Sequence, residues 1–187
     1  MTYSRKASPR KLSVALGLAA LAALIATPTP APAATGGVGP GGTTTGQTTP
    51  GSTAKLVDGK AIPPADAPPR VVRAIEAANR IEDMPYDYGG GHARWMDDGY
   101  DCSGAVSFAL GKYGAKVLEA PMPSGSFTNW GKPGEGAWIT TYANKGHMYA
   151  VIAGLRWDTS NTPGDGPGWS KTGITSDGYS VRHPVGL

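Results

Sequence analysis

The spacing of apolar residues changes once along this chain, and the change limits the folds that it can adopt. Over 68–81, and again from Cys102 to Leu110, the apolar residues recur at helical intervals, whereas from Gly136 onward they alternate with polar residues among β-formers. One helix is expected over 68–81, and a second is expected to begin at Cys102 or Ser103. The sequence therefore predicts an α+β domain in which helices pack on a central antiparallel sheet.

Turn-forming residues separate these elements. Gly, Pro and Asp between Asn161 and Thr175 predict a long loop before the last strand, and a proline with three consecutive glycines makes 84–92 a loop as well. Asp66 is expected to cap the first helix, and Gly111 or Gly114 is expected to end the second. The expected strands are 137–142, 147–153, 155–159 and 179–183.

The N-terminal third of the chain has the composition of export and linker segments. Residues 1–33 combine four basic residues, a short apolar run and an Ala-Pro-Ala end, which predicts a secretory signal peptide cut after Ala33; an uncleaved anchor is the alternative. Residues 34–55 are built mainly of Gly, Thr, Pro and Ser and are expected to form a disordered linker. The remaining residues, 56–187, have the length of one domain.

The charge balance argues against nucleic-acid binding. Removal of the signal peptide takes away four of the 17 Lys and Arg residues and none of the 14 Asp and Glu residues, so the mature chain carries a net charge of −1. Nucleic-acid binding depends on clustered cations that neutralise phosphates. The mature protein is therefore expected to have no nucleic-acid partner. Because of the predicted signal peptide, it is expected outside the cell and without membrane attachment once the signal is removed.

The single cysteine, Cys102, cannot form an internal disulfide, so it needs another reason to be present in an exported protein. A buried structural cysteine and an intermolecular bridge are two such reasons. The third is catalysis, because the first turn of a helix favours the thiolate form of a cysteine. Its position at a predicted helix start favours a nucleophile.

A cysteine nucleophile requires a general base, and His147 suits this role because a turn delivers it to the start of an apolar strand. A third polar group normally orients the imidazole. Asp158 is the first candidate on the following strand; Thr159 and Ser160 are alternatives, because a shift of one residue exchanges the faces of a strand. The chain contains three histidines: His92, His147 and His183. His183 is a further candidate for the orienting group.

Three blocks of sequence surround these residues: Met-Pro-Tyr-Asp-Tyr-Gly-Gly-Gly-His over 84–92, Gly-Tyr-Asp-Cys-Ser-Gly over 99–104, and Gly-His-Met-Tyr-Ala-Val-Ile-Ala-Gly over 146–154. Together they resemble the motifs of NlpC-type peptidoglycan endopeptidases, which are papain-like cysteine enzymes. The resemblance spans about 84–160. It implies a papain-like core and a catalytic Cys102–His147 pair.

The resemblance also implies a substrate and its contacts. The substrate would be the stem peptide of peptidoglycan, cut at an amide bond that is often the one between D-glutamate and diaminopimelate. The enzyme is expected to be secreted, associated with the cell wall and free of any cofactor. A monomer is the simplest expectation for its oligomeric state. Tyr86 or Tyr88 would lie beside the nucleophile, while Asp101 and Ser103 would contact the backbone or free amine of the substrate. An amidase that cuts the sugar–peptide junction and a wall-binding module without turnover are the alternatives.

Two positions depart from the family pattern. Many members have a histidine as the third catalytic residue about a dozen positions after the base, where this chain offers Asp158, Thr159 and Ser160. Met148 and Tyr149 also replace the usual Val-Gly pair after the base. The adjacent acids 97–98 lack a second cluster at ligand spacing, so they are expected to lie in a solvated loop rather than to bind a metal.

Overall fold

The computed structural model describes residues 51–187. The predicted signal peptide and most of the predicted linker lie outside these residues. Within them the chain forms three helices and eight strands. The helices are α1 (Pro69–Ile81), α2 (Cys102–Leu110) and α3 (Ser124–Phe127). The strands are β1 (Lys55–Val57), β2 (Lys60–Ile62), β3 (Lys132–Pro133), β4 (Ile139–Ala143), β5 (Met148–Ile152), β6 (Leu155–Asp158), β7 (Gly168–Ser170) and β8 (Ser180–His183).

Six of the strands form a single sheet in the order β3-β8-β4-β5-β6-β7, and every neighbouring pair is antiparallel. Short connections join β4 to β5 and β5 to β6, so each of these pairs is a hairpin. The register places Ile139 opposite Ile152, and Ala150 opposite Trp157. This confirms the prediction of an α+β domain with a central antiparallel sheet.

The core lies between the sheet and the two longer helices. All nine residues of α2 are buried, and α1 turns its Val71 and Ile75 face inward. Each such aliphatic side chain contributes about 1.5–3 kcal/mol when it is fully buried. The indole N–H of Trp157 donates to the carbonyl of Ala105 at 3.1 Å, which joins β6 to the first turns of α2. The start of α2 is therefore held firmly against the sheet.

Two expectations about the ends of α1 and α2 meet different outcomes. Asp66 was expected to cap α1, but the N-cap is Pro68, which has no side-chain hydrogen bond, so this prediction is wrong. The proline rings at Pro68 and Pro69 suit a helix start because the first N–H groups have no intrahelical acceptor. The expected end of α2 is confirmed, since Gly111 is its C-cap.

Several short strands were not expected. The predicted loop 161–175 contains β7, and the β1–β2 hairpin begins at Lys55, one residue before the expected start of the domain. Asn79 of α1 joins these pieces: its amide exchanges hydrogen bonds with the backbone of Ala61, and its oxygen accepts the indole N–H of Trp169 at 2.8 Å. Tertiary pairing, rather than local propensity, forms these strands.

Among residues 51–187, none of the helices is long and apolar enough to cross a membrane.

Candidate active site

Cys102 is the first residue of α2, and its side chain is only 8% exposed. Asp101 is the N-cap of this helix: its Oδ1 accepts the backbone N–H of Gly104 at 2.8 Å. The open N–H groups of a first helical turn carry partial positive charge, which stabilises an anion at this position. Cys102 therefore lies at the positive end of α2.

The glycine-rich loop packs directly against this helical turn. A Cβ atom on Gly104 would lie 2.0 Å from the carbonyl oxygen of Gly90, so neither the helix nor the loop leaves room for a side chain there. The carbonyl of Gly90 also accepts the N–H of Asp101 at 3.3 Å. The run of glycines thus allows backbone to lie against backbone beside the cysteine.

A tight turn brings His147 to the start of β5. The Asn144 side-chain oxygen accepts the N–H groups of Gly146 and His147, each at 2.9 Å, while the Asn144 N–H donates to the His147 carbonyl at 2.9 Å. Asparagine is suited to this role because its side chain can replace a backbone acceptor within a turn. The backbone of His147 is therefore fixed at both its N–H and its carbonyl.

His147, Asp158 and Ser160 form what we call the β6 cluster. Nε2 of His147 lies 3.1 Å from Oδ1 of Asp158 and 3.1 Å from Oγ of Ser160. The Ser160 hydroxyl donates to the other carboxylate oxygen, Oδ2, at 3.0 Å. Because Nε2 faces Asp158, Nδ1 is the ring nitrogen left to exchange a proton with the thiol.

Arg156 completes the surroundings of the fully buried Asp158, and sequence reasoning missed it. Its Nε donates to Oδ2 of Asp158 at 3.0 Å, and its guanidinium lies 3.7 Å from the ring centroid of Tyr149. A buried carboxylate requires such compensation, because an unpaired charge in the interior is costly. The available signal was the spacing, since residues two apart on a strand share one face.

The electrostatics of the β6 cluster favour a charged pair. Hydrogen bonding to Asp158, and secondarily to Cys102, raises the pKa of His147 from 6.5 to about 9, although burial acts in the opposite direction. Burial is the largest influence on Asp158 and alone would raise its pKa, but His147 and Arg156 outweigh it and bring the pKa to about 2. An imidazolium beside Cys102 in turn stabilises a thiolate.

The structure brings the first candidate for the orienting group, Asp158, to the imidazole. Ser160 reaches the same nitrogen, whereas Thr159 donates its backbone N–H to Asp158 at 2.7 Å. His183 lies on β8, with its Nδ1 3.0 Å from a loop carbonyl oxygen. The geometry thus joins Asp158 and Ser160 to His147; a catalytic role for Asp158 stays a prediction.

A second cluster of the same three residue types includes both chain neighbours of Cys102. His92, Asp101 and Ser103 form this α2 cluster, in which Nε2 of His92 lies 3.0 Å from both Oδ1 of Asp101 and Oγ of Ser103. Ser103 donates to Oδ1 of Asp101 at 3.1 Å, and the N–H of Gly89 donates to Oδ2 at 3.1 Å. Asp101 and Ser103 are buried, so His92 is the more exposed member.

The two tyrosines of the glycine-rich loop differ in exposure. Tyr86 is 47% exposed and Tyr88 is 89% exposed. Partial burial raises the pKa of Tyr86, and its electrostatic interaction with Cys102 and Asp101 raises it further. Of the predicted substrate contacts, Tyr86 and Tyr88 are accessible, whereas Asp101 and Ser103 are mainly enclosed. Their role in binding stays a prediction.

The adjacent acids differ: the Asp98 side chain is solvated as expected, whereas the Asp97 side chain is mostly enclosed and supports the glycine-rich loop. Asp97 accepts the N–H of Gly91 at 3.0 Å and the guanidinium of Arg94 at 2.7 Å. The Gly91 hydrogen bond, together with the Arg94 and Asp98 hydrogen bonds, lowers the pKa of Asp97 to about 2. Within 51–187, no group of three or more His, Cys, Asp or Glu residues is arranged to hold a metal ion.

Comparison with known proteins finds no family model that matches the chain and no curated protein that matches it. The residues around Cys102 and the three sequence blocks that surround them therefore provide the support for a function.

Proposed function

We propose that the protein is a secreted cysteine peptidase with a papain-like, NlpC-type domain that cleaves amide bonds in the stem peptides of peptidoglycan. One observation carries this proposal: His147 interacts with Asp158 through Nε2 and with Cys102, which begins a buried helix. A nucleophile, a base and an orienting carboxylate on separate elements form the arrangement that nucleophilic amide hydrolysis requires. A structural cysteine does not require these neighbours.

In the proposed reaction the proton of the Cys102 thiol already resides on Nδ1 of His147, in keeping with the raised pKa of this imidazole. The thiolate attacks the amide carbonyl, and the resulting tetrahedral intermediate collapses as the imidazolium gives its proton to the departing nitrogen. An amine leaves, and the acyl group remains on sulfur as a thioester. Neutral His147 then takes a proton from water, whose hydroxyl oxygen attacks the thioester, and release of the carboxylic acid restores the thiolate and the imidazolium.

Stabilisation of the tetrahedral oxyanion is assigned to the start of α2. Backbone N–H groups at an open helical turn are fixed before the reaction and point toward negative charge. The Cys102 N–H is the nearest such group to the acylated sulfur. Loss of one donor of this kind typically lowers the rate about 10²–10³-fold.

The substrate class rests on the three sequence blocks and on the accessible aromatic side chains. Tyr86 and Tyr88 are exposed aromatic side chains, and Tyr86 interacts electrostatically with Cys102. The bond between D-glutamate and diaminopimelate is the proposed site of cleavage. The mature protein would act as a monomer at the cell wall, with no membrane attachment after removal of the signal peptide.

The test is digestion of purified peptidoglycan by the mature protein and by its Cys102→Ala variant. Fragments released by the wild type alone, identified by mass, would support the mechanism and name the bond, including a sugar–peptide junction. Circular dichroism of both proteins controls for folding. Absence of fragments from both proteins on several wall types would overturn the proposal and favour a wall-binding module.

A further inference from the structure

A cavity of about 660 Å³ opens next to the β6 cluster. Residues of α3, the β4–β5 turn and the start of β8 line it, among them Asn129, Asn144, Lys145 and Tyr179. Pockets that hold small ligands have volumes of about 300–1,000 Å³. The cavity is therefore large enough for a short peptide segment.

Two of the lining residues also contact His147. The Asn144 side chain accepts the His147 N–H at 2.9 Å, and the Tyr179 ring lies edge-on to the imidazole with 6.4 Å between the ring centroids. Tyr179 and the turn at Asn144 thus connect the cavity to His147.

The chemistry of the proposed reaction decides which part of a substrate would lie there. His147 protonates the departing amine, so the fragment that carries this amine must extend on the His147 side of Cys102. The acyl fragment extends on the other side. The cavity thus faces the leaving fragment.

The charge of the cavity selects among leaving fragments. Among the described residues that line it, Lys145 alone carries a formal charge, and its side chain is exposed. In the part of the chain from 51 to 187, its amine forms no ion pair. Asp177, which immediately precedes the lining segment 178–180, is exposed. An unpaired ammonium group beside a polar pocket suits a carboxylate ligand.

We infer that this cavity is the subsite for the leaving fragment and that Lys145 recognises a carboxylate on that fragment. The inference rests on the proposed peptidase function, because that reaction assigns the departing amine to the His147 side. Lys145 thereby becomes a specificity-determining residue that takes no part in the chemistry at Cys102.

The experiment uses two synthetic stem peptides that differ only at the C-terminus of the leaving fragment, a free carboxylate in one and a carboxamide in the other. Wild-type kcat/KM should favour the carboxylate about three- to fivefold, as expected for an exposed ion pair. Lys145→Met should remove this preference and leave the amide peptide unaffected. Lys112→Met is the matched control, because Lys112 follows α2 at the end remote from Cys102 and lies over Tyr113.

Equal cleavage of the two peptides by the wild type, or a preference that survives Lys145→Met, would overturn the inference. A second measurement does not depend on turnover: the carboxylate form of the leaving fragment is titrated into Cys102→Ala and into Cys102→Ala/Lys145→Met. Binding lost only in the double variant supports the subsite, even if no peptide is cut and the proposed peptidase function fails. Neither cleavage nor binding would overturn both.

Discussion

The α2 cluster and the β6 cluster contain the same three residue types, yet their carboxylates have different partners. In both, Nε2 of a histidine lies 3.0–3.1 Å from an aspartate oxygen and from a serine hydroxyl. Asp158 is paired with a guanidinium from its own strand, whereas Asp101 accepts backbone N–H groups from a loop and from the first turn of α2.

This difference separates chemistry from support. A carboxylate compensated by a buried cation retains its negative charge in the interior and can hold an imidazolium. A carboxylate that caps a helix commits its lone pairs to fixed donors and mainly sets the position of the neighbouring backbone. We therefore propose that the β6 cluster transfers protons. The α2 cluster would position the part of the cleft that binds the acyl fragment of the substrate.

The largest expected contrast lies between the two histidines. His147→Ala should lower kcat by at least about 10³-fold, because a positioned acid–base group typically contributes 10²–10⁴ and this one also activates the thiol. His92→Ala should leave kcat within about threefold and raise KM by about tenfold, a loss expected for one charge-assisted hydrogen bond near the substrate. Steady-state kinetics on a synthetic stem peptide separates the two effects.

His183→Ala is the matched control for these variants, since its imidazole contacts a loop carbonyl on β8. It should leave both kcat and KM unchanged. A similar collapse of kcat in His92→Ala would contradict the division of labour between the clusters.

The next contrast concerns the two carboxylates and uses pH. In the proposed mechanism His147 must carry a proton, so wild-type kcat/KM should fall as the pH rises through about 9, the pKa of His147. Asp158→Asn removes the main group that raises this pKa, so the fall should move toward pH 6.5, the ordinary value of histidine. Asp101→Asn should leave the fall near pH 9, because an asparagine N-cap still supports α2.

Stability must be controlled in this comparison, because Asp158→Asn leaves Arg156 buried without its anion, a change that costs about 3–5 kcal/mol in buried pairs. The double variant Arg156→Gln/Asp158→Asn removes the unpaired cation and should show the same displaced pH profile. A profile that remains near pH 9 in both variants would refute the assignment of Asp158 as the orienting group.

The smallest contrast lies between the two serines. Ser160→Ala removes one hydrogen bond to Asp158 and should lower kcat about two- to fivefold at unchanged KM, a loss in the lower part of the roughly 0.5–1.5 kcal/mol range of such a bond. Ser103→Ala removes one hydrogen bond to Asp101 and should instead raise KM by a similar factor. Parallel determination of kcat and KM checks this; a kcat effect at Ser103 would place it in proton transfer.

Sequence patterns predicted the elements whose signal is local. The helix at Cys102 and four strands of the sheet follow from apolar spacing, and each appears within a few residues of its expected bounds. The strand β7 could not be found in this way, because Gly168–Ser170 follows a segment rich in glycine and proline. Its pairing with β6, which sets Trp169 opposite Trp157, provides the stability that its own residues lack.

The residues of the candidate site also divide into those with a local signal in the sequence and those without one. One cysteine and three histidines limit the possible Cys–His pairs to three, and the turn signal at Asn144 favours His147. The sequence left the orienting group open among several residues, and it gave no reason to join His92 to Asp101 and Ser103. Those pairings bring together a loop and a helix start, and no local pattern records them.

The sequence by itself determined the chemical inventory of this protein: a single thiol at a helix start, few histidines, and apolar spacing that specifies helices followed by strands. Only the tertiary structure decided that Asp158 faces His147 and that Arg156 pairs with Asp158. The physical reason is that the spacing of apolar residues reports on local structure over a few residues. Which side chains face one another depends instead on strand register and on contacts between distant segments. Cys102 and His147 are 45 positions apart, and the packing of α2 on β5 and β6 brings them together.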